Sequence, residues 1–319
     1  MTDTGIQATG LSRRFGSLQA VDGLSLRVDP GSIYALVGPD GAGKTTTMRL
    51  LCGALRADSG EVSLAGHDLR RHLEQARAAI GYLPQRFSLY GELTVRENLR
   101  FFAEVRGLPL AEWEPRSREV LDFVGLAEFA DRRAEALSGG MKQKLGLAAA
   151  MVHRPLILLL DEPTGGVDPV TRQSFWQLLI HLLRQGVAVL LSTPYMDEAS
   201  RCGRVGFMNR GKLLAEGSPA ELTRAMHDRV IEVSGGPRRV VEAAARRHSA
   251  VEDAQSFGEH VHLHVRAGSA GEVMAWLGKE LQGLGIQQPS LRTITANLED
   301  VFIDLLRERS AVSLTENPA

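Results

Sequence analysis

The chain has 319 residues, of which 44% are hydrophobic and 24% are charged, and its formal net charge is −1. This composition excludes a disordered chain, and the net charge gives no sign of a nucleic-acid partner. The length predicts two domains. The two cysteines, Cys52 and Cys202, do not form a disulfide framework and fit a reducing cytosol. We find neither a signal-peptide pattern nor an apolar run of the ~20 residues that a membrane span needs, so any action at a membrane would require a partner.

The first two thirds of the chain predict alternating strands and helices. Polar and apolar residues alternate over positions 1–30, which predicts short antiparallel strands, and residues 87–153 predict a helical region. Further strands are predicted at 33–37, 60–66, 156–160, 187–192, 205–208 and 212–215, with helices after residue 44 and at 170–185. The pattern predicts an α/β core with an antiparallel β subdomain and a helical insert.

The character of the sequence changes near residue 225, where a second domain is expected to begin. Residues 229–310 predict a small α+β domain, and residues 311–319 predict a loose polar tail. Its strands are predicted at 230–233, 261–265 and 290–295, and its helices at 237–247 and 270–282. His260, His262 and His264 alternate along one of these strands, and we expect an exposed polar face there rather than a metal site.

A glycine-rich segment between a predicted strand and helix has the spacing of a phosphate-binding loop. Residues 38–45 fit the pattern G-x-x-x-x-G-K-[ST], in which backbone N–H groups surround phosphate oxygens. Lys44 would neutralise the outer phosphates, and the Thr45 hydroxyl would bind Mg²⁺. The alternative is a plain glycine turn, which the flanking strand and helix disfavour. The predicted nucleotide-binding residues of this segment are Gly38, Pro39, Asp40, Gly41, Ala42, Gly43, Lys44, Thr45 and Thr46.

Two adjacent carboxylates end the apolar run 156–160. Asp161 is predicted to hold Mg²⁺, and Glu162 is predicted to orient and polarise an attacking water. An acidic pair at a strand end is often only a solvated edge. The phosphate loop earlier in the chain favours the catalytic interpretation.

The segment Leu137-Ser138-Gly139-Gly140-Met141-Lys142-Gln143 lies between these two motifs. Together, in this order, the three motifs resemble the ATP-binding domain of ABC transporters, over about residues 5–225. The resemblance implies a P-loop NTPase fold, ATP and Mg²⁺ as ligands, and a place on the cytoplasmic face of a membrane, bound through a permease. It also implies that Ser138, Gly139 and Gly140 bind the γ-phosphate held by a second ATPase protomer.

The resemblance extends to three further positions. Phe15 matches the aromatic residue that stacks on adenine, although a core phenylalanine is the alternative. Gln85 matches the family's glutamine that senses Mg²⁺ and water, although it could be an exposed loop residue. Asp168 matches the loop that crosses the dimer interface.

Three other segments are similar to the ATPases that serve ABC-2 type exporters, and most of all to multidrug exporters. They are residues 85–98, 195–199 and 297–303. The resemblance implies an ABC-2 type permease as the membrane partner. A non-transport or a regulatory ABC ATPase is the alternative.

One position departs from the family pattern. Most relatives have Ser-Thr-His where this chain has Ser192-Thr193-Pro194, and proline has no side-chain donor and no N–H. We therefore expect slow hydrolysis at the site that this chain's own Lys44 and Glu162 form. Because Ser138-Gly139-Gly140 is intact, a heterodimer with a histidine-bearing ATPase is favoured over a homodimer.

Overall fold

The structure, a computed structural model, describes residues 5–86 and 89–315, with side chains described as far as residue 307. It separates into two compact units, Met1–Glu216 and Gly217–Ala319. The division lies before the predicted boundary at 225, because the helix at 219–224 packs with the last helix of the chain and so joins the second unit. Phe87 and Ser88, where the helical insert was expected to begin, lie outside the described residues, as do residues 316–319 of the predicted tail.

The first unit contains two sheets. Its strands are β1 (Ile6–Phe15), β2 (Leu18–Val28), β3 (Ile33–Val37), β4 (Ser59–Leu64), β5 (His67–Asp68), β6 (Ile80–Leu83), β7 (Ile157–Asp161), β8 (Ala188–Thr193), β9 (Arg204–Asn209) and β10 (Lys212–Gly217). An antiparallel sheet has the order β2-β1-β4-β5, and a six-stranded sheet has the order β10-β9-β3-β8-β7-β6. Strands β6, β7, β8, β3 and β9 pair in parallel. The predicted α/β core with an antiparallel β subdomain is confirmed.

Seven α-helices are described in the first unit. They are α1 (Lys44–Leu51), α2 (Leu73–Ala78), α3 (Val95–Val105), α4 (Leu110–Val124), α5 (Gly139–Met151), α6 (Pro169–Arg184) and α7 (Met196–Ala199). Helices α3, α4 and α5 share a separate apolar core that includes Leu99, Val120 and Leu145. Helix α3 begins at a capping box, in which Thr94 and Glu97 satisfy each other's backbone N–H groups. This region is the predicted helical insert.

The parallel sheet brings three chain segments to one edge. Strands β3, β7 and β8 are neighbours, and Leu36 and Asp161 both lie opposite Ser192 in the strand register. The carboxyl ends of parallel strands meet at the same edge of a sheet, where ligands of open α/β folds bind. The phosphate loop, Glu162 and Pro194 follow these carboxyl ends, and Asp161 is the last residue of β7.

The second unit is an antiparallel sheet with helices. Its elements are α8 (Pro219–Arg224), β11 (Val230–Ser234), α9 (Arg238–Ala245), β12 (Val251–Phe257), β13 (His260–Val265), α10 (Ala270–Gly283), β14 (Ser290–Ile294) and α11 (Leu298–Thr315). The strand order is β12-β13-β11-β14. Val241, Leu263 and Leu277 belong to the core between the sheet and helices α9 and α10. Strand β12 was not predicted.

Two expectations for this unit are wrong. Helix α11 continues to Thr315, so residues 311–315 are helical rather than a loose tail. His262 and His264 are buried rather than exposed, because Asp300 of α11 covers that face of β13 and hydrogen-bonds both rings.

Within the described residues, no helix combines the length and the apolar character that crossing a membrane demands.

Candidate nucleotide-binding site

The loop between β3 and α1 has the backbone of a phosphate cradle. Gly43 has a φ of 109° at the N-terminus of α1, and no side chain caps the first turn of that helix. A Cβ at Gly38 would lie 2.1 Å from the Met208 carbonyl oxygen, and one at Gly43 would lie 2.3 Å from the Ala20 carbonyl oxygen. Only glycine fits at either position, and the uncapped N–H groups of α1 remain available to an anion.

Lys44 is the buried cation of this site, with only 4% of its surface exposed. Its Nζ donates to the Gly38 carbonyl oxygen at 2.8 Å and to the Pro39 carbonyl oxygen at 3.2 Å. The same nitrogen lies 3.2 Å from Glu162 Oε1. Burying an ammonium group requires such partners, and a bound phosphate would offer stronger ones than two neutral carbonyls.

Asp161, at the end of β7, has the arrangement of a magnesium ligand. It is 0% exposed, and its Oδ1 accepts hydrogen bonds from Thr45 Oγ1 at 3.2 Å and from Ser192 Oγ at 2.5 Å. Its buried Oδ2 has no hydrogen-bond partner among the described residues. A buried carboxylate oxygen left unpaired is costly, and hard oxygen donors of this kind suit Mg²⁺, so the residues present fit that ion.

The Glu162 side chain contacts two other candidate residues, Lys44 and Gln85. Its carboxylate contacts Lys44 through Oε1 and accepts a hydrogen bond from Gln85 Nε2 at 2.8 Å through Oε2. Its backbone has a φ of 50°, and its N–H donates to the Ser192 carbonyl oxygen at 3.0 Å. Gln85 is an exposed loop residue, yet it is held against the predicted catalytic carboxylate.

The remaining residues of the predicted nucleotide set differ in exposure. Phe15 ends β1 with 42% of its surface exposed, and the Arg13 guanidinium lies 4.9 Å from the centre of its ring. A strand phenylalanine in a core would be covered, so this position suits stacking on a base. Asp40 and Gly41 are exposed on the loop, while Ala42 is buried and Thr46 half-buried.

The structure does not bring the other predicted phosphate contacts to this loop. Ser138 caps α5, where its side chain accepts from Met141 N at 3.3 Å, and Gly139 beside it is exposed. Asp168 caps α6, and its hydrogen bond from Thr171 lowers the pKa of its carboxyl. Across the part of the chain that the structure describes, no hydrogen bond or ion pair joins 138–140 or 168 to the phosphate loop. Ser138, Gly139 and Asp168 are exposed at the starts of their helices.

Sequence reasoning missed several side chains around the acidic pair. Ser192 Oγ donates a hydrogen bond to Asp161 and accepts one from the backbone N–H of Glu162. The sequence pattern Ser192-Thr193-Pro194 points only to Pro194. Thr164, Thr193 and Glu198 form a buried cluster beside them. Pro194 follows β8 directly and is half-buried. A polar pair ending an otherwise apolar strand is the one signal that could have identified Ser192 and Thr193.

Comparisons with known proteins agree with this geometry. Residues 21–165 match the family described as ABC transporter. The chain is 38% identical over 309 residues to the Nod factor export ATP-binding protein I of Paraburkholderia xenovorans, covering 96% of this chain and 98% of the relative. It is 34% identical over 311 residues to the daunorubicin resistance ATP-binding protein DrrA3 of Streptomyces coeruleorubidus, covering 96% of each.

A third relative is longer. The chain is 39% identical over 311 residues to the probable multidrug ABC transporter ATP-binding protein YbhF of Escherichia coli, covering 96% of this chain. The match takes in 53% of that relative, so this chain spans about half its length.

Solved structures match about two thirds of this chain in fold. A solved ATP-binding subunit of an ABC transporter has a TM-score of 0.64 at 30% identity, covering 70% of this chain and 93% of that one. A dimeric bacterial ABC transporter cassette has a TM-score of 0.61 at 26% identity, covering 67% of this chain and 98% of that one. Fold and site together define a P-loop nucleotide-binding protein. The chain belongs to the ABC transporter family, among its ATP-binding proteins.

Proposed function

We propose that this chain is the ATP-hydrolysing subunit of an ABC exporter and drives a separate membrane permease. The observation that carries the proposal is the position of Glu162. One carboxylate contacts both Lys44 and Gln85, directly after an Asp161 whose second oxygen is unpaired. A carboxylate so placed can orient a water against a phosphate held by the loop.

The chain's own residues have distinct tasks in this reaction. The phosphate loop and Lys44 bind the phosphates of ATP, and Phe15 stacks on its adenine. Thr45, Asp161 and Gln85 would hold Mg²⁺, which when bound neutralises charge on the phosphates. Glu162 positions the attacking water and accepts its proton. Arrival of the phosphates gives Lys44 a stronger partner than Glu162, which frees that carboxylate for the water.

A second ATPase completes the site in this proposal. Ser138, Gly139 and Asp168 are exposed at the starts of α5 and α6, where they can meet the phosphates bound by another protomer. One similar cassette is dimeric in its solved structure. Two ATP molecules would then lie between the protomers, and closure on ATP would be passed through the Gln85 loop and the helical insert to the permease.

The membrane partner is proposed to be an ABC-2 type permease. The proposal rests on residues 85–98, 195–199 and 297–303, of which Phe87 and Ser88 lie outside the described residues. Relatives named for Nod factor export and for daunorubicin resistance are consistent with export. The chain would then lie on the cytoplasmic face of the membrane, held there by its permease.

Pro194 favours a heterodimer over a homodimer. It also supports a second candidate function, that of a regulatory ATPase that binds ATP and hydrolyses it little. Neither a side-chain donor nor an N–H is available at this position. Loss of one contact to the γ-phosphate can lower the rate roughly 10²-fold. A partner ATPase that carries the histidine would supply the faster site.

Steady-state Mg-ATP hydrolysis by the purified chain, beside Pro194→His and Glu162→Gln variants, tests these proposals. We expect all three to bind ATP, the native chain to hydrolyse slowly, Pro194→His to be faster by up to about 10²-fold, and Glu162→Gln to be silent. A native chain that turns over rapidly would remove the argument for a heterodimer. A native chain that binds ATP and is no faster than Glu162→Gln would favour the regulatory function.

A further inference from the structure

A buried carboxylate outside the proposed catalytic set lies beside it. Glu198, on α7, has only 1% of its surface exposed. Its Oε1 accepts a hydrogen bond from Thr164 Oγ1, and its Oε2 accepts one from Thr193 Oγ1 at 2.7 Å. Arg172 Nε, on α6, lies 3.6 Å from Oε1. A carboxylate this deeply buried is costly unless it is hydrogen-bonded, and here each of its oxygens accepts a hydrogen bond.

The two threonines belong to the two segments that build the catalytic edge. Thr164 lies two residues after Glu162, in the loop that leaves β7. Thr193 follows Ser192, which hydrogen-bonds both Asp161 and the backbone N–H of Glu162. Glu198 therefore joins the segment that carries the predicted base to the strand that holds it.

Glu162 needs such support because its backbone is strained. A φ of 50° is a left-handed conformation that residues other than glycine rarely adopt, and it persists only where the surroundings fix it. Two backbone bonds already hold it, from Glu162 N to the Ser192 carbonyl at 3.0 Å and from Gly165 N to the Glu162 carbonyl at 3.2 Å. The Thr164–Glu198 bond fixes the same loop from its side chain.

We propose that Glu198 is a positioning residue for hydrolysis, acting through the Glu162 backbone. The inference rests on the proposed function, since it needs Glu162 to act as the base. The same carboxylate also fixes the turn at Pro194, because Thr193 Oγ1 accepts a bond from Tyr195 N at 3.1 Å while it donates to Glu198. Glu198 and Thr193 thus hold the turn that contains Pro194.

The test uses two substitutions at the Thr164–Glu198 bond in the full chain. Thr164→Val keeps the shape of the side chain and removes its hydroxyl, and Glu198→Gln keeps the size and removes the charge. Single-turnover hydrolysis of Mg-ATP and equilibrium ATP binding are both measured. We expect hydrolysis to slow roughly 10- to 100-fold, as with other residues that orient a reacting group, while ATP affinity stays nearly unchanged. Thr164→Ser restores the hydroxyl and should restore most of the rate.

Two readouts separate positioning from a general structural role. Glu198→Gln and Thr164→Val should keep the native free energy of unfolding and ATP affinity while hydrolysis falls, and Thr164→Ser should recover the rate. Asp300→Asn is the matched control, because Asp300 is a buried carboxylate of the second unit, and we expect it to leave hydrolysis unchanged.

Three outcomes would overturn the proposal. In the first, Glu198→Gln or Thr164→Val hydrolyses ATP at the native rate. In the second, either variant weakens ATP binding as much as hydrolysis, which would indicate loss of structure. A native chain that binds ATP but hydrolyses no faster than Glu162→Gln would instead defeat the proposed function, and the role of Glu198 with it.

Discussion

The contact between α5 and α6 fixes the identity of a single residue, Gly140. A Cβ there would lie 2.5 Å from Thr171 Cγ2 and 2.9 Å from Thr171 Oγ1. A Cβ at Gly139, one residue earlier, would meet nothing within 4 Å. The fold alone therefore demands a glycine at 140, while at 139 it leaves open space that a partner's nucleotide could use.

Gly140→Ala should destabilise the first unit, because Thr171 is β-branched and lies on a packed helix. We expect the free energy of unfolding to fall by about 1–3 kcal/mol, the usual cost of overpacking. Urea unfolding followed by the fluorescence of Trp113 and Trp176, in a Trp276→Phe background, measures it.

Two further variants control this experiment. Gly139→Ala should be neutral or slightly stabilising, since alanine favours a helix over glycine by up to about 1 kcal/mol. Thr171→Ala should relieve much of the loss in Gly140→Ala. Equal losses from both glycine substitutions would show that the close approach of the helices is not the cause.

Helix α11 is joined to β13 by one buried carboxylate, Asp300. Its Oδ1 accepts from His262 Nδ1 at 2.9 Å and from His264 Nε2 at 3.2 Å, and its Oδ2 accepts from Asn297 N at 2.9 Å. Burial opposes ionisation of this group, but the hydrogen bonds from the two histidines hold the pKa of Asp300 well below its usual range.

Asp300→Ala should destabilise the second unit by about 3 kcal/mol, because it leaves two buried rings without their acceptor. Trp276 fluorescence during urea unfolding, in a Trp113→Phe/Trp176→Phe background, reports on this unit. Glu299→Ala is the matched control, since Glu299 lies in the same helical turn but is exposed. A similar loss from both substitutions would mean that the charge at the helix start matters and the histidine contacts do not.

The second unit also shows where prediction from sequence failed. The alternating histidines of β13 predict a solvated face, because alternation of polar residues usually marks one. Their acceptor lies 36 and 38 residues further along the chain, on a helix whose buried side carries Asp300 and Asp304. Acidic residues on the inner face hide the apolar stripe that would otherwise have predicted α11.

The first unit was more predictable because its signals are local. The phosphate loop, the acidic pair and the parallel strands each depend on residues close together in the chain, where backbone geometry and periodicity suffice. The Thr164–Glu198 bond spans 34 residues, and the contact of Gln85 with Glu162 spans 77. Gln85 could be identified only by resemblance, and Glu198 was not identified at all.

Among the described residues, the titratable groups His153 and Asp300 each make stability depend on pH, in different windows. In the first unit, burial and then the nearby Arg106 lower the pKa of His153 to about 4. Its Nε2 donates to the Ile80 carbonyl oxygen at 3.0 Å, and its buried Nδ1 has no hydrogen-bond partner among the described residues. In the second unit, Asp300 has a pKa held below the usual aspartate range.

The sign of each effect follows from which state binds more protons. An unfolded histidine takes up its proton near pH 6.5, but folded His153 does so only near pH 4, so the unfolded state binds more protons between these values. The first unit therefore loses stability as the pH falls from about 6.5 to about 4. Asp300 is largely ionised in both states over most of that window, and its contribution is lost as the pH falls through the unfolded pKa of about 3.9 toward the lower folded pKa.

Replacing His153 with glutamine should remove most of the acid sensitivity of the first unit in that window. Glutamine Nε2 can still donate to the Ile80 carbonyl but does not titrate, so the free energy of unfolding should fall less between pH 7 and pH 4.5. The difference from the native chain should be on the order of 2 kcal/mol. Urea unfolding at the two pH values measures it with Trp113 and Trp176 fluorescence, in the Trp276→Phe background.

His72→Gln, which replaces an exposed histidine of the same unit, should leave the native pH dependence in place. If His153→Gln keeps the full pH dependence, burial of this imidazole is not what makes the ATP-binding unit sensitive to acid.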